Sequence, residues 1–363
     1  MGIRILHVLD KISVDSGVSN VVMNYYAKLD ANRLTFDFML NEEPDADARA
    51  YIESRGSEIY VMPALKAANL FRYISALKQF YKTSDYRIIH GHVANSSIFY
   101  LGLARKTVPH RIIHSHSTKY SDIFWKRIRN WMLTRFIKRV ANGFMACSDE
   151  AASFLYGKNH GATIINNAID PEKFKYDEKQ RERIRTLHGI RDERVIGHVG
   201  RFTAVKNHSF LIDVFSEVHK RNADTRLLLV GTGELQESAK QQAKKLGIGE
   251  RVTFAGSTSE PAAYLSAMDM FVLPSLFEGL GLAAVEAQAS GLRVLAADTL
   301  PEIANATGNA EFLQLDKDLW VEKLLTAPAD SDRKEPLSRI IGGAFDINTQ
   351  MNTLSAYYVN LLE

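Results

Sequence analysis

Residues 270–287 read Met-Phe-Val-Leu-Pro-Ser-Leu-Phe-Glu-Gly-Leu-Gly-Leu-Ala-Ala-Val-Glu-Ala. The apolar run ending at Pro274 predicts a short strand. A turn holding Gly279 and Gly281 follows, then a helix to Gly291. Strand, glycine-rich turn and helix in that order form the repeating unit of a parallel sheet with covered faces. The same alternation recurs along the chain. Strands are predicted at Ile3–Asp10, Thr35–Asn41, Glu58–Pro63, Tyr86–His92, Arg111–His116, Gly143–Ser148 and Thr163–Asn167. A second set covers Arg194–Gly200, Arg226–Gly231, Arg251–Gly256, Met270–Pro274, Arg293–Ala297 and Glu311–Leu315. The fold class is α/β, with two doubly wound, Rossmann-like domains. Such sheets bind ligands beyond the carboxyl ends of their strands, so the site is expected in a cleft between the domains.

The 363 residues suit about two domains of ~150 residues. The boundary is expected in Asn167–Lys179, giving residues 1–168 and 169–344, with residues 345–363 as a closing helix. Thr326–Pro336 reads as a polar loop. With 46% hydrophobic and 24% charged residues, the chain is neither disordered, collagenous nor a coiled coil. A net charge of +3 excludes a general nucleic-acid binder. One cysteine, Cys147, excludes an intramolecular disulfide framework and a multi-thiolate metal site. Arg4, His7 and Asp10 interrupt any signal-peptide core, Leu6 breaks the myristoylation pattern, and no window of 18 residues is uniformly apolar. A cytoplasmic protein is expected, with any membrane contact peripheral.

Glu278 and Glu286 bracket the turn and the helix start. The N–H groups of Gly279, Leu280, Gly281 and Leu282, with the helix dipole, favour an anion such as a phosphate. Glu286, two turns in among apolar residues, needs hydrogen-bond donors, and sugar hydroxyls supply them. A cap at Glu278 and an ion pair at Glu286 would explain the same residues structurally. In His198–His208, Gly200 and Arg201 follow a predicted strand and Lys206 enters the next helix. A guanidinium and an ammonium there suit a departing diphosphate; two solvated cations are the plainer reading.

Gly231 and Gly256 end two further strands, and Val230–Glu234 lacks the third glycine of a dinucleotide fingerprint. Asp15–Ser19, with Gly17, joins the first strand to the first helix. His90/His92 and His114/His116 each place two imidazoles on one strand face. That spacing could hold zinc, but no acidic or thiolate partner sits at ligand-like spacing; packed histidines or a cleft-facing role are the other readings. Tyr120–Val140 is basic and aromatic. Trp125, Ile128, Met132, Phe136 and Val140 fall on one helical face, and Lys126, Arg127, Arg129 and Trp131 suit an anionic lipid surface or acceptor, unless the helix is simply core-facing.

Taken together, these residues resemble the retaining GT-B glycosyltransferases of family 4, particularly the bacterial exopolysaccharide and capsule type. The resemblance covers essentially the whole chain. It rests on Glu278…Glu286, on Gly200-Arg201…Lys206, on Lys206-Asn207-His208 followed by Phe210-Leu211-Ile212, and on Ile165-Asn166-Asn167-Ala168-Ile169-Asp170. Three positions depart from the family pattern: Ala168 for Gly, Ser16 for the first of two glycines, and Arg293 for Pro. None is a charged functional position. The resemblance implies that Glu286 reads the donor ribose and Glu278 the transferred sugar, while Arg201 and Lys206 hold the diphosphate. Gly17 would meet the phosphates, His116 would lie near the donor sugar, and the residues around Gly231 and Gly256–Glu260 would face the donor. It further implies a closing helix that returns to the first domain and a donor such as a UDP-sugar. The acceptor would be a glycan or lipid-linked oligosaccharide, with no metal or other cofactor. A nucleotide-sugar epimerase or hydrolase of similar fold, and a non-catalytic two-lobed sugar-binding protein, are the alternatives.

Overall fold

A computed structural model describes residues 2–13, 16–118, 120, 123–328, 333 and 335–363. Asp15 of the predicted first turn, Ser121 and Asp122 of the basic stretch, and 329–332 and 334 of the predicted polar loop lie outside the described residues. The chain divides into two units, Met1–Ala168 with Ile347–Glu363, and Ile169–Asp346.

The first unit holds β1 (Ile3–Val8), β2 (Leu34–Leu40), β3 (Ile59–Val61), β4 (Ile88–Gly91), β5 (His110–Ser115), β6 (Gly143–Ala146) and β7 (Thr163–Ile164). They form one sheet in the order β3-β2-β1-β4-β5-β6-β7, with every pairing parallel. The second unit holds β8 (Arg194–Val199), β9 (Thr225–Val230), β10 (Val252–Gly256), β11 (Met270–Leu273), β12 (Val294–Ala297) and β13 (Ala310–Leu313). Its parallel sheet runs β10-β9-β8-β11-β12-β13. In each sheet the strand order reverses, between β1 and β4 and between β8 and β11, which is the position that opens a binding crevice at the carboxyl ends.

Both faces of these strands are covered, which explains their unbroken apolar sequences. In β9, Leu227 and Leu229 join one hydrophobic cluster, with Phe215 and Trp320, while Leu228 and Val230 join another, with Phe271 and Leu273. The period of two delivers alternate side chains to opposite layers. All four residues of β11 are buried.

The last helix is Ile347–Asn360 and belongs to the first unit. It buries Met351, Leu354 and Tyr358, and Gln350 accepts a hydrogen bond from Asn166 N at 3.0 Å. Phe345 and Asp346, expected at the start of this helix, remain in the second unit. Ile169 N donates to the Phe345 carbonyl at 3.0 Å, and Asp346 accepts from Gly342 N at 2.8 Å. The predicted loop Thr326–Pro336 ends in a helix, Glu335–Ile340, because proline is tolerated in a first turn. The basic stretch is two helices, Phe124–Thr134 and Ile137–Val140, broken at Arg135 and Phe136. No helix among the described residues is long and apolar enough to cross a membrane.

Candidate active site

The decisive stretch folds as its sequence predicts. β11 ends at Leu273, the chain turns through 274–281, and a helix runs Leu282–Ala289. Gly281 caps that helix with φ +72°, and a Cβ there would meet Leu300 at 2.7 Å. Only glycine avoids both the left-handed strain and the clash. A Cβ on Gly279 would meet nothing within 4 Å, so the backbone before the helix is open to a ligand.

Glu278 does not cap this helix. Its Oε1 accepts from Lys206 Nζ at 2.5 Å and from Ser275 Oγ at 2.7 Å. The ion pair is mostly enclosed, with side-chain exposures of 22% for Lys206 and 12% for Glu278. Lys206 ends the short turn Ala204–Lys206 after β8, and Leu276 N binds the Val205 carbonyl, so the two loops are tied together. Asn207, next along the chain, takes a left-handed φ of 55° and fixes how Lys206 leaves its turn. Arg201 is exposed, and its side chain makes no hydrogen bond or ion pair among the described residues. Glu286 has no ion pair among the described residues either. Burial pushes its carboxyl up to about 7, against the opposing pull of Lys173 and Lys206.

Gly200, Gly231 and Gly256 come together at the ends of β8, β9 and β10. Gly231 N donates to the Gly256 carbonyl at 2.7 Å, and Gly231 has φ +137°. A Cβ on Gly231 would sit 2.1 Å from the Gly200 carbonyl oxygen, so this close approach requires glycine. The sequence-predicted residues of the second unit thus share one end of one sheet.

In the first unit, His116 follows β5 and bonds through Nε2 to His92 Nδ1 at 2.8 Å; His92 Nε2 bonds to His7 Nδ1 at 2.9 Å. His90 Nε2 lies 3.2 Å from His114 Nδ1, and the Tyr358 hydroxyl lies 2.5 Å from His90 Nδ1. The rings stack, with His114 on His116 at 4.1 Å and 20°. Burial holds all five imidazoles below their ordinary range, His7 at about 3 and His116 at about 4, so they are neutral. His7, His90 and His92, and again His92, His114 and His116, offer nitrogens within 4.8 Å of one another. Six of the ten ring nitrogens of these five imidazoles already bond to a neighbouring imidazole.

His7 and Tyr358 were not singled out by the sequence reading. The available signal was His7 at the end of β1, paired in register with His90. Gly17 opens the helix Gly17–Ala27, and a Cβ there would meet nothing within 4 Å. A cavity of about 760 Å³ lies in the same unit. Asp10, Glu42, Lys11, Lys66 and Arg129 supply its charged lining, with Asn41 beside them. Asn41 donates to Asp10 at 3.0 Å, yet burial still raises the Asp10 carboxyl. Arg129 was expected at a lipid surface or acceptor from the sequence; the other five escaped it, because they come from the separate loops that follow β1, β2 and β3.

The helix Phe124–Thr134 turns Asn130 and Thr134 inward, while Trp125 is 77% and Met132 51% exposed. Of the predicted apolar face, Trp125, Met132 and Phe136 are on the surface, Ile128 is half-buried and Val140 is in the core. Lys126, Arg127, Arg129 and Trp131 are exposed beside it.

Residues 16–173 match the family model described as Glycosyltransferase Family 4, and residues 180–332 match Glycosyl transferases group 1. EpsF of Bacillus subtilis, which carries a glycosyltransferase name, is 30% identical over 90% of this chain and 88% of its own length. The chain is a glycosyltransferase of family 4. It is also similar to the capsular polysaccharide biosynthesis glycosyltransferase CapH of Staphylococcus aureus, at 26% identity over 85% and 86% of the two chains. An Escherichia coli relative, at 25% over 85% and 80%, is named UDP-Gal:alpha-D-GlcNAc-diphosphoundecaprenol alpha-1,3-galactosyltransferase. The Anabaena protein HepE, solved with UDP and glucose, superposes with a TM-score of 0.80 at 16% identity, covering 99% of this glycosyltransferase and 100% of HepE. WaaG, of lipopolysaccharide biosynthesis, does so at 0.71 and 17%, over 97% and 98%. These likenesses give the glycosyltransferase its GT-B fold.

Proposed function

We propose that this glycosyltransferase moves a sugar from a nucleotide-diphosphate sugar, such as a UDP-sugar, to a hydroxyl of a lipid-linked or oligosaccharide acceptor. Retention of configuration and a place in exopolysaccharide or capsule synthesis complete the reading. The observation that carries it is the Lys206–Glu278 pair beside exposed Arg201 and the helix start at Leu282. An incoming diphosphate competes with Glu278 for Lys206. Glu278, once released, accepts hydrogen bonds from the transferred sugar, and Glu286 accepts them from the ribose. In the first unit, we assign Gly17 and His116 to the donor.

In the transfer, the acceptor oxygen bonds to the anomeric carbon as the bond to the diphosphate breaks. The acceptor proton passes to the departing diphosphate on the same face, so no protein nucleophile is required. Arg201, Lys206 and the helix N-terminus meet the negative charge that develops, an effect worth about 2.7–4 kcal/mol per donor in other enzymes. These cations serve where a metal would otherwise be needed, and we assign none.

The 760 Å³ cavity suits the acceptor. Asp10, Asn41 and Glu42 can accept from sugar hydroxyls, and Lys11, Lys66 and Arg129 can hold phosphate. The exposed aromatic and basic helix would then rest on anionic headgroups. The named acceptor of the E. coli relative, a diphosphate-linked sugar on a lipid, has this chemistry. Transfer from a panel of UDP-sugars to sugar–diphosphate–lipid acceptors tests the reading, with the new linkage assigned by proton NMR. A product with the donor's anomeric configuration is expected. An inverted product, or none from any nucleotide sugar, contradicts it.

A further inference from the structure

Ser275 lies in the turn between β11 and the helix Leu282–Ala289, three residues before Glu278, and it is fully buried. Its Oγ lies 2.7 Å from Glu278 Oε1. A carboxylate oxygen only accepts, so the serine donates and its single proton is committed. The following helix starts only at Leu282, behind Gly281, so this serine is not its cap. The backbone around the serine is fixed independently of Glu278. Thr299 Oγ1 donates to the Ser275 carbonyl at 2.7 Å, and Leu276 N donates to the Val205 carbonyl at 2.8 Å.

Lys206 Nζ donates to the same oxygen, at 2.5 Å. The two donors are held differently. Lys206 reaches Glu278 along a flexible stem and can be redirected. The Ser275 hydroxyl sits one carbon from a backbone bonded on both sides. An arriving diphosphate carries more negative charge than one carboxylate and draws the ammonium toward itself. It has no comparable hold on a neutral, buried hydroxyl. Of the two donors, Ser275 is therefore the one that Glu278 keeps. The need is real, because the Glu278 side chain is only 12% exposed and water cannot fully replace the lost cation. Glu278 Oε2 makes no hydrogen bond among the described residues, so one oxygen is fixed and the other is uncommitted.

We propose that Ser275 is a positioning residue: it holds Glu278 through Oε1 while the diphosphate engages Lys206, and so presents Oε2 to a hydroxyl of the transferred sugar. The proposal rests on the sugar-transfer reading and deepens it. Ser275 touches neither phosphate nor sugar. UDP, which has no sugar for Glu278 to meet, is insensitive to the serine hydroxyl, whereas a UDP-sugar depends on it.

The test titrates full-length wild type, Ser275→Ala and Ser275→Thr by calorimetry with UDP, UDP-glucose, UDP-galactose and UDP-N-acetylglucosamine. Wild type is expected to bind one of the three UDP-sugars more tightly than UDP. Ser275→Ala should bind UDP within about twofold of wild type but that UDP-sugar about tenfold less tightly, the scale of one hydrogen bond to a charged group. Ser275→Thr, which keeps the hydroxyl, should recover most of the loss. Ser275→Cys, of nearly the same shape with a weak donor, repeats the comparison if the alanine variant does not fold. A loss by Ser275→Ala that is equal for UDP and the UDP-sugar marks a merely structural role and overturns the proposal. No loss on either ligand overturns it too, as does a threonine variant that binds UDP normally but the UDP-sugar as weakly as alanine. A wild type for which no UDP-sugar improves on UDP also overturns it. Transfer by wild type, with Ser275→Ala still favouring the UDP-sugar over UDP as wild type does, refutes this proposal alone. The expected binding pattern in a chain that transfers nothing refutes the transfer reading alone.

Discussion

The carboxyl ends of the two sheets face opposite chemical problems with one architecture. The second sheet ends in full charges: the Lys206–Glu278 pair, exposed Arg201, and Glu286 raised toward neutrality. The first ends in five neutral imidazoles, stacked and hydrogen-bonded to one another. Parallel α/β sheets place loop residues in equivalent positions, so the difference lies in side chains alone. In the second sheet charge gathers where the donor diphosphate is expected; in the first unit the imidazoles stay neutral, and charge stands apart from them in the residues that line the 760 Å³ cavity.

Acid should break this contrast most severely. The five histidines have folded pKa values below the ordinary 6.5, so an unfolded chain takes up protons that the folded unit refuses. Stability is therefore lost as pH falls through 6.5 toward 4. His116 alone would cost about 2 kcal/mol between pH 7 and pH 5. Glu286 acts in the opposite sense, its contribution being lost as pH rises through about 7, but it is a single group. Hydrogen exchange read by mass spectrometry at pH 5 should show β1, β4 and β5 opening before β8 and β11. Equal opening of both sheets would remove the distinction drawn here.

Substitution in the charged set comes next. Lys206→Ala and Arg201→Ala should each lower turnover at least ~100-fold, as expected for an electrostatic role in the transition state, and Arg201→Ala should leave the thermal midpoint near wild type while Lys206→Ala lowers it by stripping the enclosed Glu278 of its partner. Glu286→Gln should then weaken donor binding about tenfold at pH 8 and abolish its decline as pH falls through 7, because only the carboxylate accepts two hydroxyls. Calorimetric titration of UDP-glucose across pH 6–8 checks this. The smallest effect falls on the surface. Trp125→Ser with Trp131→Ser should change stability by less than about 0.5 kcal/mol yet lower co-sedimentation with anionic vesicles.

The local patterns were legible in the sequence because they obey short-range rules. Apolar runs bounded by Gly and Pro located the strands, and the turn at Gly279–Gly281 placed Glu278 and Glu286. What sequence could not show is who meets whom. For Glu278 the sequence offers a sugar contact or, structurally, a helix cap, and shows neither Lys206, 72 residues away, nor Ser275 as the partners of its Oε1. The His-x-His pairs were seen, yet their joining through His7 and Tyr358 depends on sheet register and on a helix 268 residues from His90. The helix at Phe124–Thr134 was assigned one apolar face. Its burial follows Asn130 and Thr134 instead, because helix packing rather than hydropathy decides its rotation.

In the proposed reaction the second sheet's cations hold the diphosphate. Titrating wild type and Lys206→Met with UDP, in low and moderate salt, measures that directly. Wild type should bind with an affinity that salt weakens, and the variant should bind at least tenfold less tightly with a shallower salt dependence. Equal binding by the two proteins, or no nucleotide binding by wild type, would contradict it.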